Sequence, residues 1–251
     1  DGVADVATAG SVTLIATTGS IGDNTLPADW VGVTTGDPTV DGVAGVEGAV
    51  TLTATLGEIY VDSDDDMYLA AVDALTMIDL NITGTLNDFT TGADAGIDLD
   101  ATAVVLNVAG EIGGTNALET NTDTLTAHAT AAGDIVIDEL NGVELLDIDT
   151  MDGAITITTG GATTVTDVAS LTDDDANDIA ITATAGDITI DDDGVNAGAA
   201  GDVAITATLG AINDDAVDTT TDVTGDEVAL TAATGIGDID TEGETITADD
   251  T

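Results

Sequence analysis

The sequence has no lysine and no arginine in 251 residues, against 50 aspartates and glutamates and one histidine, for a formal charge of −50. Without basic side chains it cannot neutralise phosphates, which excludes nucleic acid and anionic lipid surfaces as partners. Such a charge attracts cations instead, and divalent ions or a salty medium are expected to offset the repulsion among carboxylates. Cysteine is absent too, which removes disulfides and zinc–thiolate sites. No apolar run approaches the roughly 18 residues of a membrane span, so no membrane insertion is expected. The first residue is Asp1 and no leader pattern opens the chain, so it reads as a processed or excised piece of a longer product.

Aromatic residues are nearly missing as well: one Trp, two Tyr and one Phe. High charge with few aromatics ordinarily marks disorder. Here 43% of the residues are hydrophobic, and the β-branched ones recur at fixed positions, so the chain can bury a core.

The recurrence is a repeat. A Gly-x-Ile/Leu marker falls at Gly19, Gly57, Gly84, Gly110, Gly133, Gly153, Gly186, Gly210 and Gly237, at intervals of 20 to 38 residues that average about 27. Apolar residues sit seven, five and three positions before several of these glycines: Ile179, Ile181 and Ala183 before Gly186, and Val203, Ile205 and Ala207 before Gly210. Downstream, Ile188 and Ile190 alternate with polar residues. A period of two over five to seven residues is the mark of a half-buried strand. Glycine at the corner admits a close backbone approach that a side chain would hinder.

Each unit therefore reads strand, glycine corner, strand, polar stretch. A unit this short cannot bury its own apolar face, but stacked on copies of itself it can. The expected fold is all-β, a right-handed parallel β-helix (β-solenoid) of about nine coils of roughly 20–27 residues. A β-sandwich array is the competing fold, and it normally needs an aromatic core. Residues 1–251 read as one elongated domain with insertions near 22–47, which holds Pro27 and Pro38, and near 161–177.

The phrases SVTLIATTGSI, AVTLTATLGEI, DIAITATAGDI and DVAITATLGAI resemble the repeats of filamentous-haemagglutinin-type adhesins and related bacterial cell-surface β-helix proteins. The resemblance spans about residues 11 to 247. It implies a right-handed β-helix, secreted or displayed at the cell surface and acting in adhesion, matrix or filament formation. The total absence of basic residues departs from that pattern and favours a structural or ion-dependent role over receptor binding.

Aspartates cluster after the expected strands: Asp62, Asp64, Asp65 and Asp66; Asp173, Asp174, Asp175 and Asp178; Asp191, Asp192 and Asp193; Asp214 and Asp215. Ca²⁺ takes six to eight oxygens from carboxylates, carbonyls and water, so Ca²⁺ is the expected ion and these aspartates its expected ligands. Asp62, Asp64 and Asp66 start like a calcium loop, but Met67 stands where such a loop requires glycine, so an EF-hand is rejected. The other reading of each cluster is a solvated acidic surface.

A polysaccharide-degrading enzyme built on paired carboxylates is a weaker alternative. The chain lacks cationic groups for transition-state charge and aromatics for sugar stacking, so no catalysis is expected. His128 faces inward if counted back from Gly133 and outward if counted from Leu125, Ala127 and Ala129; either way the expected role is structural. Neither end shows a cap, and uncapped solenoid ends invite edge-on association. The expected function is an extracellular structural protein, a cell-surface filament or matrix subunit that associates head-to-tail with copies of itself and is stabilised by Ca²⁺. The alternative is a stalk segment of a large secreted adhesin.

Overall fold

Alternation with a period of two sends Ile179, Ile181 and Ala183 to one side of the backbone and Ala180 and Thr182 to the other. These five residues form the strand Ile179–Ala183, with the three apolar side chains buried. It lies parallel to and in unbroken register with Ile155–Thr159 on one side and Val203–Ala207 on the other. The computed structural model describes residues 6–8, 11–22, 30–35, 48–89, 96–114, 116–215, 220–237, 239–243 and 245–250, which form an all-β solenoid of about nine turns.

Successive strands build two parallel sheets. One stacks Val6–Thr8, Val31–Thr35, Ile59–Ser63, Met77–Ile82, Ala103–Val108, Thr124–Ala132, Val143–Asp152, Thr163–Ser170, Ile188–Asn196, Val223–Thr224 and Thr241–Glu242. The other stacks Val12–Ala16, Ala49–Ala54, Met67–Ala74, Leu99–Asp100, Leu118–Asn121, Ile135–Glu139, Ile155–Thr159, Ile179–Ala183, Val203–Ala207, Glu227–Ala232 and Thr245–Asp250. Leu86–Asp88 and Ile212–Asp214 pair beside Met67–Ala74 and Ile188–Asn196. Parallel pairing follows from coiling, because each turn brings the chain back to the same face in the same direction.

The core is a set of columns running the length of the coil. Ile135, Ile155, Ile179, Val203 and Val228 are successive register partners, and so are Ile137, Ile157, Ile181, Ile205 and Leu230. All are buried. Near the corner the column narrows to Ala183, Ala207 and Ala232. With rungs about 4.8 Å apart, each isoleucine packs against its counterparts above and below. Ile181→Val is accordingly expected to lower the unfolding free energy by about 1 kcal/mol. Leu209→Thr, at a site 67% exposed, is expected to stay within about 0.5 kcal/mol. Urea melts of the two variants check the ranking, and equal effects would contradict the inward assignment of Ile181.

The marker glycines turn out to occupy two different corners. Gly84, Gly110, Gly133 and Gly153 stack in one column, while Gly210 sits on Gly186, which sits on Ala162, in another. The long step from Gly153 to Gly186 is thus a full turn plus the passage from one corner to the next. Gly237 is not the last member of either column. Ile236 bridges to Ile212, which sets Thr234 opposite Gly210 and Gly235 opposite Ala211, and the Ile212 N–H donates to the carbonyl of Gly235. Its φ of 138° is a conformation glycine adopts freely.

Both sequence intervals marked as insertions contain rung strands. Val31–Thr35 pairs with Val6–Thr8 and Ile59–Ser63. Thr163–Ser170 pairs with Val143–Asp152 and Ile188–Asn196, so the second excursion lies beyond Ser170. Trp30, just before the first of these strands, packs on Tyr60 with ring centroids 5.9 Å apart.

Candidate functional site

Where the chain turns a corner, the strand ladder breaks and a backbone N–H must find another acceptor. In this solenoid an aspartate supplies it. The carboxylates of Asp66, Asp134, Asp178 and Asp202 accept the N–H of Thr85, Ala154, Asp202 and Glu227 at 2.8, 2.9, 3.0 and 3.0 Å, across 19, 20, 24 and 25 residues. Asp187 does the same for Ala211, Asp98 for Glu119 and Asp222 for Asp240. Ser11 and Ser20 take this part in the first turns. Every such aspartate immediately precedes a buried apolar residue: Met67, Leu99, Ile135, Ile179, Ile188, Val203 or Val223. In every case the acceptor lies on the earlier turn and the donor on the later one. A carboxylate receiving an N–H is a charge-assisted bond, stronger than a neutral one.

The aspartates singled out as Ca²⁺ ligands fall into this frame to different degrees. Asp66 and Asp178 are corner acceptors, as above. Asp62 accepts the side-chain amide of Asn81 from the next turn, Asp65 accepts the N–H of Asp66, and Asp64 is exposed. Asp173 gathers the N–H groups of Ala199 and Ala200, both at 2.8 Å, and Asp174 accepts that of Ala176. Asp175 is exposed. Asp191 accepts the Thr166 hydroxyl at 3.0 Å. The side chains of Asp192 and Asp193 lie outside the described residues. Asp214 ends the strand Ile212–Asp214, and the N–H of Asp215 reaches the carbonyl of Ile190.

Among the described residues, carboxylate or imidazole ligand atoms gather in threes, within 4.8 Å of one another, at two other places. The first is Asp88, Asp98 and Glu119. Asp98 and Asp88 are buried, and Asn116 donates its amide to Asp88. Burial, a hydrogen bond with the Glu119 side chain and the nearby charge of Asp88 push the Asp98 carboxyl up to about 8. At neutral pH the cluster therefore holds a proton shared among its carboxyls; a hard cation bound by the same oxygens would displace it.

Two further carboxyls titrate high. Burial raises Glu139, although Thr120, Asn141 and Thr122 all donate to it. Burial also raises Asp79 to about 6, and one of its oxygens has no hydrogen-bond partner. Asp79 sits in register between Tyr60 and Val105, neither of which offers it a charge of opposite sign.

The second group is His128, Asp147 and Asp149. The strand Thr124–Ala132 buries Leu125, Ala127 and Ala129, so His128 faces outward. Counting back from Gly133 misplaces it because three residues, 130–132, follow the last inward alanine before the corner. Asp149 is its register partner on the next turn, and Asp147 lies opposite Thr126. Nδ1 is 3.1 Å from Asp149 Oδ1, and Nε2 is 3.7 Å from Asp147 Oδ2. Spacing along the chain gave no sign of this group, since its members come from different turns. No known protein family, curated protein or solved structure matches this chain.

Proposed function

We propose that the chain is an extracellular structural protein, a subunit of a cell-surface filament or matrix that associates head-to-tail and is stabilised by Ca²⁺. The observation that carries this reading is the continuity of the ladder. Parallel rungs run from Val12–Ala16 to Thr245–Asp250, and the outer edges of these two strands carry no neighbouring strand among the described residues. Another copy set on either edge would extend the same hydrogen-bonding pattern. The two edges differ, so stacking joins unlike ends and propagates rather than closing on itself.

The charge sets the condition for association. Two copies of a −50 chain repel unless counterions intervene. Carboxylates, carbonyls and water are the ligands Ca²⁺ takes, and exposed aspartates such as Asp64 and Asp175 do not take the N–H-accepting role that occupies Asp66 and Asp178. The second reading, a stalk segment of a large secreted adhesin, draws on the same edges: further coils of one polypeptide would cover them.

Electron microscopy and sedimentation of the purified chain, in Ca²⁺ and in chelator at equal ionic strength, separate the two. Filaments that form with Ca²⁺ and dissolve with chelator are the expected result. A monomeric rod under both conditions would overturn the filament reading and leave the stalk.

A further inference from the structure

The group at His128 contains the one imidazole in the chain, and we propose that it binds a divalent metal of the zinc class. His128 Nε2 and Asp147 Oδ2 are the ligands, and Asp149 is the positioning residue that holds the ring. This is independent of filament assembly, and it calls for an ion of different chemistry from the one proposed above.

The site exists because of a β-bulge. Leu125 pairs with Leu145 but Thr126 pairs with Asp147, so Leu146 is an extra residue and is turned outward. Strict alternation from the buried Leu145 would point residue 147 into the core. The extra residue reverses the parity, so Asp147 and Asp149 both face outward beside His128. Bulges of this kind re-aim side chains and are concentrated next to functional sites.

The distances assign the roles. Asp149 Oδ1 lies 3.1 Å from Nδ1, near enough to take the Nδ1–H and so favour the tautomer that leaves Nε2 bare for a metal. A carboxylate on the far nitrogen is the usual partner of a metal-bound histidine, orienting the ring and making it more basic. Nε2 and Asp147 Oδ2 stand 3.7 Å apart. Ligand bonds of about 2.0–2.2 Å would span that gap after a shift of a few tenths of an ångström in either side chain. His128 is 20% exposed and Asp147 51%, so water can reach the remaining coordination positions.

Ligand type then selects the ion. Ca²⁺ and Mg²⁺ take oxygen, whereas imidazole suits zinc, copper and nickel. The chain's 50 acidic residues compete for hard cations, but none of them supplies nitrogen.

The test uses the full chain, stripped of metal and kept in a large excess of Ca²⁺ so that all-oxygen sites stay occupied. Zn²⁺ is titrated in while the carbon-bound protons of the single imidazole are followed by NMR. The expected result is a saturable shift of those resonances. Asp149→Ala should weaken binding by about 10–100-fold, while Asp149→Asn, whose amide oxygen still accepts the Nδ1–H, should retain most of it. His128→Asn and Asp147→Asn should each weaken it at least as much as Asp149→Ala. Ring resonances unmoved by millimolar Zn²⁺, or Zn²⁺ binding unchanged in His128→Asn, would overturn the assignment. Melting curves verify that each variant folds, and the titration of the parent chain decides even if one does not.

Discussion

Gly210→Ala is expected to unfold the solenoid at ambient temperature or to lower its stability by more than about 4 kcal/mol. A Cβ at this position would lie well under 3.0 Å from the carbonyl of Gly186 on the turn before. Rungs sit about 4.8 Å apart, and the ladder on either side of the corner holds that separation fixed. The Thr208 N–H donates to Ala183 at 2.9 Å and the Ile188 N–H to Ala211 at 2.8 Å, so neither turn can retreat without losing ladder bonds. Gly19→Ala is the control. Gly19 has a φ of 104°, but nothing lies within 4 Å of where its Cβ would be. Its substitution meets backbone strain alone, about 1–2 kcal/mol. Urea denaturation followed by circular dichroism measures both. A Gly210→Ala variant no weaker than Gly19→Ala would mean that the two turns do not touch at this corner.

The second large effect is a stability that rises as the solution is acidified from alkaline to mildly acidic pH. Asp98, Asp79 and Glu139 all have carboxyls raised in the folded chain, chiefly by burial. The folded state therefore binds protons that the unfolded state has released, and stability falls wherever that difference persists as pH increases. The contribution is fully present below the ordinary carboxylate value of about 3.8. It is lost as pH rises through about 6 for Asp79 and about 8 for Asp98. Repulsion among the other carboxylates acts in the same direction.

The melting temperature at pH 5 should exceed that at pH 9 by at least about 4 °C, the shift that roughly 1–2 kcal/mol produces in a domain of this size. Asp98→Asn separates the local effect from the global one. It keeps the shape and an acceptor for the Glu119 N–H but carries no charge, so it should raise the melting temperature at pH 9 and flatten the slope between pH 5 and 9. A melting temperature that climbs with pH over this range would contradict the protonated cluster.

The inward columns were legible in the sequence because a period of two survives any change in loop length. Ile179, Ile181 and Ala183 are buried as their spacing requires, and so are Ile188 and Ile190 after the glycine. The corner to which each glycine belongs was not legible. Gly153 and Gly186 carry the same local phrase, yet one stacks on Gly133 and the other on Ala162. Only the pairing of turns distinguishes them, and pairing is a long-range property.

The corner aspartates did leave a local signal. An Asp directly before the first inward residue recurs as Asp134–Ile135, Asp178–Ile179, Asp187–Ile188 and Asp202–Val203. The signal is a single residue at a fixed place, whereas a metal site calls for runs of aspartate, so the two patterns coincide only in part. The groups at Asp98 and His128 left no comparable trace. Asp88, Asp98 and Glu119 meet across turns, and Asp147 faces outward only because Leu146 is extra.

The one-way order of the corner bonds bears on how such a chain takes shape. At seven corners the earlier turn displays an aspartate, set directly before a buried apolar residue, where an N–H of the following turn will arrive. A polypeptide delivered amino end first, whether from a ribosome or through a membrane pore, would find the acceptor already in place at each of these corners. Delivered from the other end, each of these carboxylates would arrive only after the N–H it accepts. The aspartates thus give the coil a direction of growth as well as a means of closing its turns.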